Sequence, residues 1–148
     1  MALNSPCKPD PASSAGPSAS PAGNRPALRV LLVDDHLLVR CSTRQQLEEI
    51  PNLQVVGEAV DGFEAVALTR TLSPDLVLMD ICMPGLDGLE ATRRITAEFP
   101  RVRVMMLSSF KEESFRRSAL AAGAQGYAVK GESTQSLAAA IQRVCFGL

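Results

Sequence analysis

From Arg29 onward, five short apolar runs alternate with five helix-length segments, an order that few folds can accommodate. The runs are RVLLV (Arg29 to Val33), LQVVGEA (Leu53 to Ala59), DLVLM (Asp75 to Met79), VRVMML (Val102 to Leu107) and GYAV (Gly126 to Val129). Most are rich in Val, Leu or Met, as expected of strands covered on both faces. The last helical segment is the clearest: Leu137, Ala140, Ile141 and Val144 form one apolar face behind Ser133 or Thr134 as N-cap. Pro74 and Pro100 each follow a helical stretch, and Gly62 and Gly88 punctuate turns. Strand and helix repeated in this way predict an α/β fold, a doubly wound parallel sheet with right-handed crossovers. Ligands of such sheets bind outside the carboxyl ends of the strands.

Asp34 and Asp35 follow the first run, Asp80 the third, Ser108 and Ser109 the fourth, and Lys130 the fifth. Three carboxylates, a hydroxyl and an ammonium are thereby expected at one edge. Carboxylates gathered so closely raise one another's pKa values unless a cation sits among them. Oxygen ligands with no nearby His or thiolate pair select a hard, partly hydrated ion, Mg²⁺ in the first instance, which leaves positions for phosphoryl oxygens. Asp80 stands alone, followed by the Pro-Gly loop of MDICMPGLDG, and is the candidate nucleophile; Asp34 and Asp35 suit metal holding. Lys130 and Ser108 are placed to meet phosphoryl oxygens.

The remaining composition narrows the class. Residues 1–27 are dominated by Pro, Ala, Ser and Gly and read as a disordered leader, so residues 28–148 form the predicted domain. The formal net charge is -1, and without Lys8, Arg25 and Asp10 of the leader, 13 basic face 15 acidic residues. A surface built for nucleic acid is not expected from that balance. The four cysteines, Cys7, Cys41, Cys82 and Cys145, show neither zinc-ligand spacing nor a disulfide framework, and reduced thiols are expected. Without a signal segment or a membrane-length apolar run, the expected location is the cytoplasm.

The blocks DDHLLVR, LVLMDICMPGLDGLEATRRI, MMLSS and GAQGYAVK, in this order, closely resemble the receiver domain of bacterial two-component response regulators. The resemblance covers Leu28 to Leu148. It implies a flavodoxin-like (βα)5 fold, strand order 2-1-3-4-5, with Asp80 accepting a phosphoryl group from the phosphohistidine of a sensor histidine kinase. It also implies that Asp35, Asp80 and the main-chain carbonyl of Cys82 ligate Mg²⁺ directly and that Asp34 does so through water. Lys130 is similar to the family's phosphate-binding lysine, Ser108 to its switch hydroxyl and Tyr127 to its switch aromatic. Phosphorylation would draw Ser108 inward, let Tyr127 rotate behind it and bias the surface of the fourth helix, fifth strand and fifth helix, a candidate homodimer face. The start DDHLLVR and the end SLAAAIQRVCFGL look most like receivers joined to a LuxR-type helix-turn-helix, so an effector domain absent from this chain is expected to carry transcriptional output. Gly131 departs from the proline that many receivers carry after the lysine, often behind a cis peptide.

Several residues have ordinary readings. Asp87 reads as a turn or first-turn helix residue, and His36 as a structural residue beginning a helix rather than a ligand. Cys82 reads as a buried thiol, and Arg93, Arg94, Arg116 and Arg117 as solvated helix faces. Competing functions are a Mg²⁺-dependent phosphatase of the haloacid-dehalogenase type, disfavoured because Cys82 stands where its second acid belongs, and a phosphorylation-independent interaction domain. A flavodoxin proper lacks support, because no phosphate-cradling loop follows the first strand.

Overall fold

The computed structural model describes residues 26–147, so all but the end of the expected leader lies outside the described residues. The elements are β1 (Leu28–Val33), α1 (Leu37–Glu48), β2 (Leu53–Ala59), α2 (Gly62–Leu72), β3 (Leu76–Met79), α3 (Gly88–Glu98), β4 (Arg103–Ser108), α4 (Glu113–Ala121), β5 (Gly126–Val129) and α5 (Thr134–Phe146). The strands pair in parallel in the order β2-β1-β3-β4-β5, the flavodoxin-like arrangement expected. Strand boundaries fall within one residue of the sequence reading.

Successive side chains on a strand face opposite sides of the sheet, which gives this fold two apolar layers. Leu31, Val33, Val77, Met79, Val104 and Met106 lie on one face, packed with Ala65 of α2, Ala91 and Ile95 of α3 and Ala119 of α4. Val30, Leu32, Leu76, Leu78, Met105 and Leu107 lie on the other, under Leu47 of α1 and Leu137, Ala140 and Ile141 of α5. Each such burial is worth about 1.5–3 kcal/mol, which explains why the strands tolerate so few polar residues. Val144 completes the α5 face only partly buried.

Three of the five helix starts are fixed by side-chain caps. Asp61 accepts from Glu64 N (2.8 Å), Asp87 from Glu90 N (2.9 Å) and Ser133 from Ser136 N (3.0 Å), each cap contributing about 1 kcal/mol. Asp87 is therefore the N-cap of α3, in keeping with its structural reading. Arg93, Arg94, Arg116 and Arg117 are exposed, as expected.

The β1–β2 ladder is irregular at one point. Val30 pairs with Val55, but Leu31 pairs with Gly57 and Leu32 with Glu58, so Val56 is an extra residue in a bulge. Leu53 and Val55 pack on the α1/α5 layer, and a regular strand would then turn Glu58 the other way. The bulge instead places Glu58 on the side of Leu32, beneath α1. Ala59, opposite Val33, joins the other layer.

Cys82 and Cys145 are free thiols, and Cys82 is exposed rather than buried. Among the described residues, no helix is long and apolar enough to cross a membrane.

Candidate functional site

Backbone hydrogen bonds continue the sheet one residue past its strands and carry three site residues with them. Asp34 N donates to Ala59 O (3.0 Å), Asp80 N to Val33 O (3.1 Å) and Lys130 N to Ser108 O (2.8 Å). The charged side chains thus rise from main chain as rigid as the sheet itself. Below Asp80 the loop closes tightly: Gly88 N donates to Ile81 O (2.9 Å), and a Cβ on Gly88 would stand 1.9 Å from the Asp80 carbonyl oxygen. Only glycine fits there.

Lys130 joins two of the carboxylates. Its Nζ donates to Asp34 Oδ2 at 2.6 Å and lies 3.2 Å from Asp80 Oδ1. Asp34 and Asp80 are both buried. Burial pushes the Asp80 carboxyl above its ordinary value, Lys130 opposes that shift, and the neighbouring charges of Asp34 and Asp35 reinforce it. Burial works against the Lys130 charge too, but its hydrogen bond to Asp34 and the charge of Asp80 prevail and raise its pKa. The lysine is a fixed positive charge, whereas Asp80 is a carboxylate held ionised against its surroundings.

Asp35 is the incomplete member of the group. Its Oδ1 is buried and accepts no hydrogen bond, although His36 Nδ1 lies 3.1 Å away. His36 Nδ1 is also 3.7 Å from Asp34 Oδ1, and the His36 main-chain N–H donates to that oxygen at 2.9 Å. A buried anionic oxygen without a donor is costly unless a cation reaches it. The orphaned Asp35 oxygen, with Asp34 and Asp80 beside it, fits a hard divalent ion. His36, read from sequence as structural, joins Asp34 and Asp35 within one group of ligand atoms less than 4.8 Å apart. Asp80 reaches that group through Lys130.

On the β4 side, Ser108 is buried and its Oγ accepts from Phe110 N at 3.0 Å. The Phe110 carbonyl in turn accepts from Tyr127 Oη at 2.6 Å, and the Phe110 ring stacks on Phe115 of α4 with centroids 4.4 Å apart. Ser108 and Tyr127 are therefore connected through the backbone of one residue. Ser109 is exposed.

The model of the response regulator receiver domain family matches residues 30–142. The chain belongs to this family. As a receiver domain, it is a signalling module of two-component systems. It is 44% identical over 120 residues to the response regulator GacA of Pseudomonas viridiflava, covering 81% of this chain and 56% of that protein. To the response regulator UvrY of Escherichia coli K12 it is 46% identical over 120 residues, covering 81% and 55%. The crystal structure of a LuxR-family two-component response regulator from Aurantimonas sp. SI85-9A1 superposes with a TM-score of 0.78 at 38% identity, covering 82% of this chain and 86% of that one. The chain spans a little over half the length of the curated relatives it matches.

Against this receiver frame, Asp34, Asp80 and Lys130 meet directly, Asp35 stands beside them, and Ser108 and Tyr127 share a loop. The Cys82 thiol is pushed up by partial burial and by the Asp80 charge, so it is no ready nucleophile at neutral pH. At Gly131 the main chain takes φ +90°, a conformation closed to proline, and no cis peptide occurs among the described residues. Sequence reasoning missed Phe110 between Ser108 and Tyr127, whereas His36 begins α1 as its N-cap, in keeping with its structural reading. The Phe110 link rests on a main-chain contact that no residue type announces.

Proposed function

We propose that this receiver domain accepts a phosphoryl group on Asp80 from the phosphohistidine of a sensor histidine kinase and uses the modification to change its α4, β5 and α5 surface. The observation that carries the reading is the Lys130 ammonium held between Asp34 Oδ2 and Asp80 Oδ1 while Asp35 Oδ1 goes unpartnered. Such a group is one cation short of neutrality and one anion short of a complete site.

Asp34, Asp35, Asp80 and the Cys82 carbonyl would hold Mg²⁺, which supplies charge neutralisation for phosphoryl oxygens. Asp80 contributes the attacking carboxylate oxygen: an O–P bond forms as the phosphohistidine N–P bond breaks, and the imidazole keeps the leaving electron pair. Lys130 contributes a compact ammonium that turns from Asp34 toward a phosphoryl oxygen. Ser108 Oγ accepts from Phe110 N, and its own hydroxyl proton can be offered to the same group. If Ser108 leaves Phe110 N, the β4–α4 loop loses a tether and the Phe110 carbonyl no longer fixes Tyr127 Oη, so the aromatic ring is released. The domain's only chemistry on this reading is self-catalysed gain and loss of its own phosphoryl group, in the cytoplasm. The altered surface serves a homodimer or an effector domain; a DNA-binding effector outside this chain would convert the switch into transcriptional control.

The test is intact-mass spectrometry after incubation with acetyl phosphate, with and without Mg²⁺, beside Asp80→Asn. A Mg²⁺-dependent gain of about 80 Da, absent from the variant and removed by mild base, is the expected result. No gain in the parent protein, or an unchanged gain in Asp80→Asn, overturns the assignment.

A further inference from the structure

The β2 bulge has a second consequence at the site. Glu58, turned under α1 by the extra residue Val56, accepts from Arg40 Nε at 2.7 Å and pairs with the Arg44 guanidinium. Arg44 also reaches Glu48 at 3.0 Å. Arg40 has a further task, because its Nη1 donates to the main-chain carbonyl of Asp34 at 2.8 Å. The three side chains are largely withdrawn from water, with 12% exposure for Arg40, 13% for Arg44 and 21% for Glu58.

We propose that Arg40 and Glu58 are a positioning pair for the acidic loop: Glu58 orients the Arg40 guanidinium, and Arg40 clamps the Asp34 carbonyl, so that Asp35 and Asp34 are held ready for a cation. Neither residue touches the phosphoryl group or the ion. The argument is geometric. Asp34 N is fixed by β2 through Ala59 O, and Asp34 O by Arg40, which β2 also fixes through Glu58. Both polar groups of the Asp34 main chain thus answer to the same edge strand, and its bulge sets the reach of the second. Bulges beside functional sites commonly re-aim a side chain in this way, and arginine suits the task because its planar fork serves two acceptors at once. A lysine could serve only one well.

This inference rests on the proposed cation site, and the experiment separates the two. Mg²⁺ is titrated into the full 148-residue chain, and the midpoint is read from the amide shifts of Asp34, Asp35 and His36. Amide exchange of the same residues is measured without metal. Partners one step removed from metal ligands typically change affinity by about 10-fold or more. Arg40→Ala and Glu58→Gln are expected to raise the midpoint about 10-fold and to speed exchange in the metal-free loop, while saturating Mg²⁺ restores the acetyl phosphate reaction. Arg40→Lys should recover part of the loss. Arg44→Ala, which removes a Glu58 partner without touching Asp34, controls for general loosening and should move the midpoint less than about 2-fold.

Parent-like midpoints and exchange in Glu58→Gln and Arg40→Ala, with normal Mg²⁺ binding by the parent, overturn the pair alone. A shift in Arg44→Ala as large as in Arg40→Ala also overturns it, since the effect would then be loss of packing. Absence of any Mg²⁺ response in the parent overturns both the pair and the cation site. Should Arg40→Ala fail to fold, Glu58→Gln decides the question, because it keeps the side chain's shape and removes only its charge.

Discussion

Replacing Gly88 by alanine tests how closely the proposed phosphoacceptor, Asp80, depends on the turn beneath it. The added Cβ would stand 1.9 Å from the Asp80 carbonyl oxygen, and 2.9 Å from both the Asp80 carbonyl carbon and Ile81 Cα. Contacts under 3.0 Å are essentially never seen for a Cβ, so the main chain at Asp80 must retreat by about 1.1 Å. Backbone cannot turn aside as a side-chain tip can, which puts the cost near the upper end of the about 1–3 kcal/mol typical of overpacking. In a domain of this size that corresponds to a Tm lower by about 10 °C. A displacement of about 1 Å at a reacting atom costs about 10²-fold in rate, so phosphorylation by acetyl phosphate should slow by that order even well below the melting temperature. Gly57→Ala is the comparison, because its nearest atoms are the ends of the Leu72 and Leu31 side chains at 2.7 and 3.4 Å, and these can move. The assay is the rate of phosphoryl gain by intact mass, with thermal unfolding of the same samples. A parent-like rate and Tm in Gly88→Ala would refute the reasoning, as would an equal loss of rate in Gly57→Ala.

Further outcomes follow from the charges and the loop. The folded-state pKa of Asp80 lies above its unfolded value of 3.8, so the folded state holds the proton more tightly, and stability is lost as pH rises from there through the raised value. Asp80→Asn should therefore melt higher than the parent at neutral pH in metal-free buffer, with the advantage shrinking as pH falls toward about 4; a constant advantage across that range would contradict it. Lys130→Ala leaves Asp34 and Asp80 buried without their cation and should destabilise the metal-free protein by about 3 kcal/mol, a deficit that Mg²⁺ reduces; equal melting of variant and parent in chelator would speak against the bridge. Tyr127→Phe removes the hydrogen bond to the Phe110 carbonyl and should cost about 1 kcal/mol or less, while amide exchange quickens across residues 109–112. Unchanged exchange there would mean that the hydroxyl does not restrain the loop.

Much of this was legible from residue order because both faces of each central strand are covered. Runs such as LVLM leave no room for polar alternation, and the residue that ends each run is set at the sheet edge by the ladder itself. Asp34, Asp80, Ser108 and Lys130 could therefore be read as neighbours without coordinates, and Ser133 declared the start of α5 through local chemistry alone. The bulge was not legible. LQVVGEA reads as an unbroken strand, and its extra residue becomes visible only against β1, where Leu31 meets Gly57. The face taken by Glu58, and hence its pairing with Arg40, depends on that one count. The link from Ser108 to Tyr127 was hidden for a different reason: it passes through the main-chain N–H and C=O of Phe110, which every non-proline residue possesses. The exposure of Cys82 likewise depends on how the Pro-Gly loop folds, which its residue type does not decide.

Edge strands are ordinarily the parts of a sheet that absorb insertions and deletions with least harm. In this receiver the edge strand β2 is nonetheless held to one register. A slip that drew Val56 into the ladder opposite Leu31 would straighten the strand and exchange the faces of the residues after it. Glu58 would then oppose Val33, away from Arg40, and the Asp34 main chain would lose at least one of its two anchors. The register of this peripheral strand is thus under a constraint set at the proposed phosphorylation site, and a one-residue slip there would do what substitution of an exposed edge residue would not.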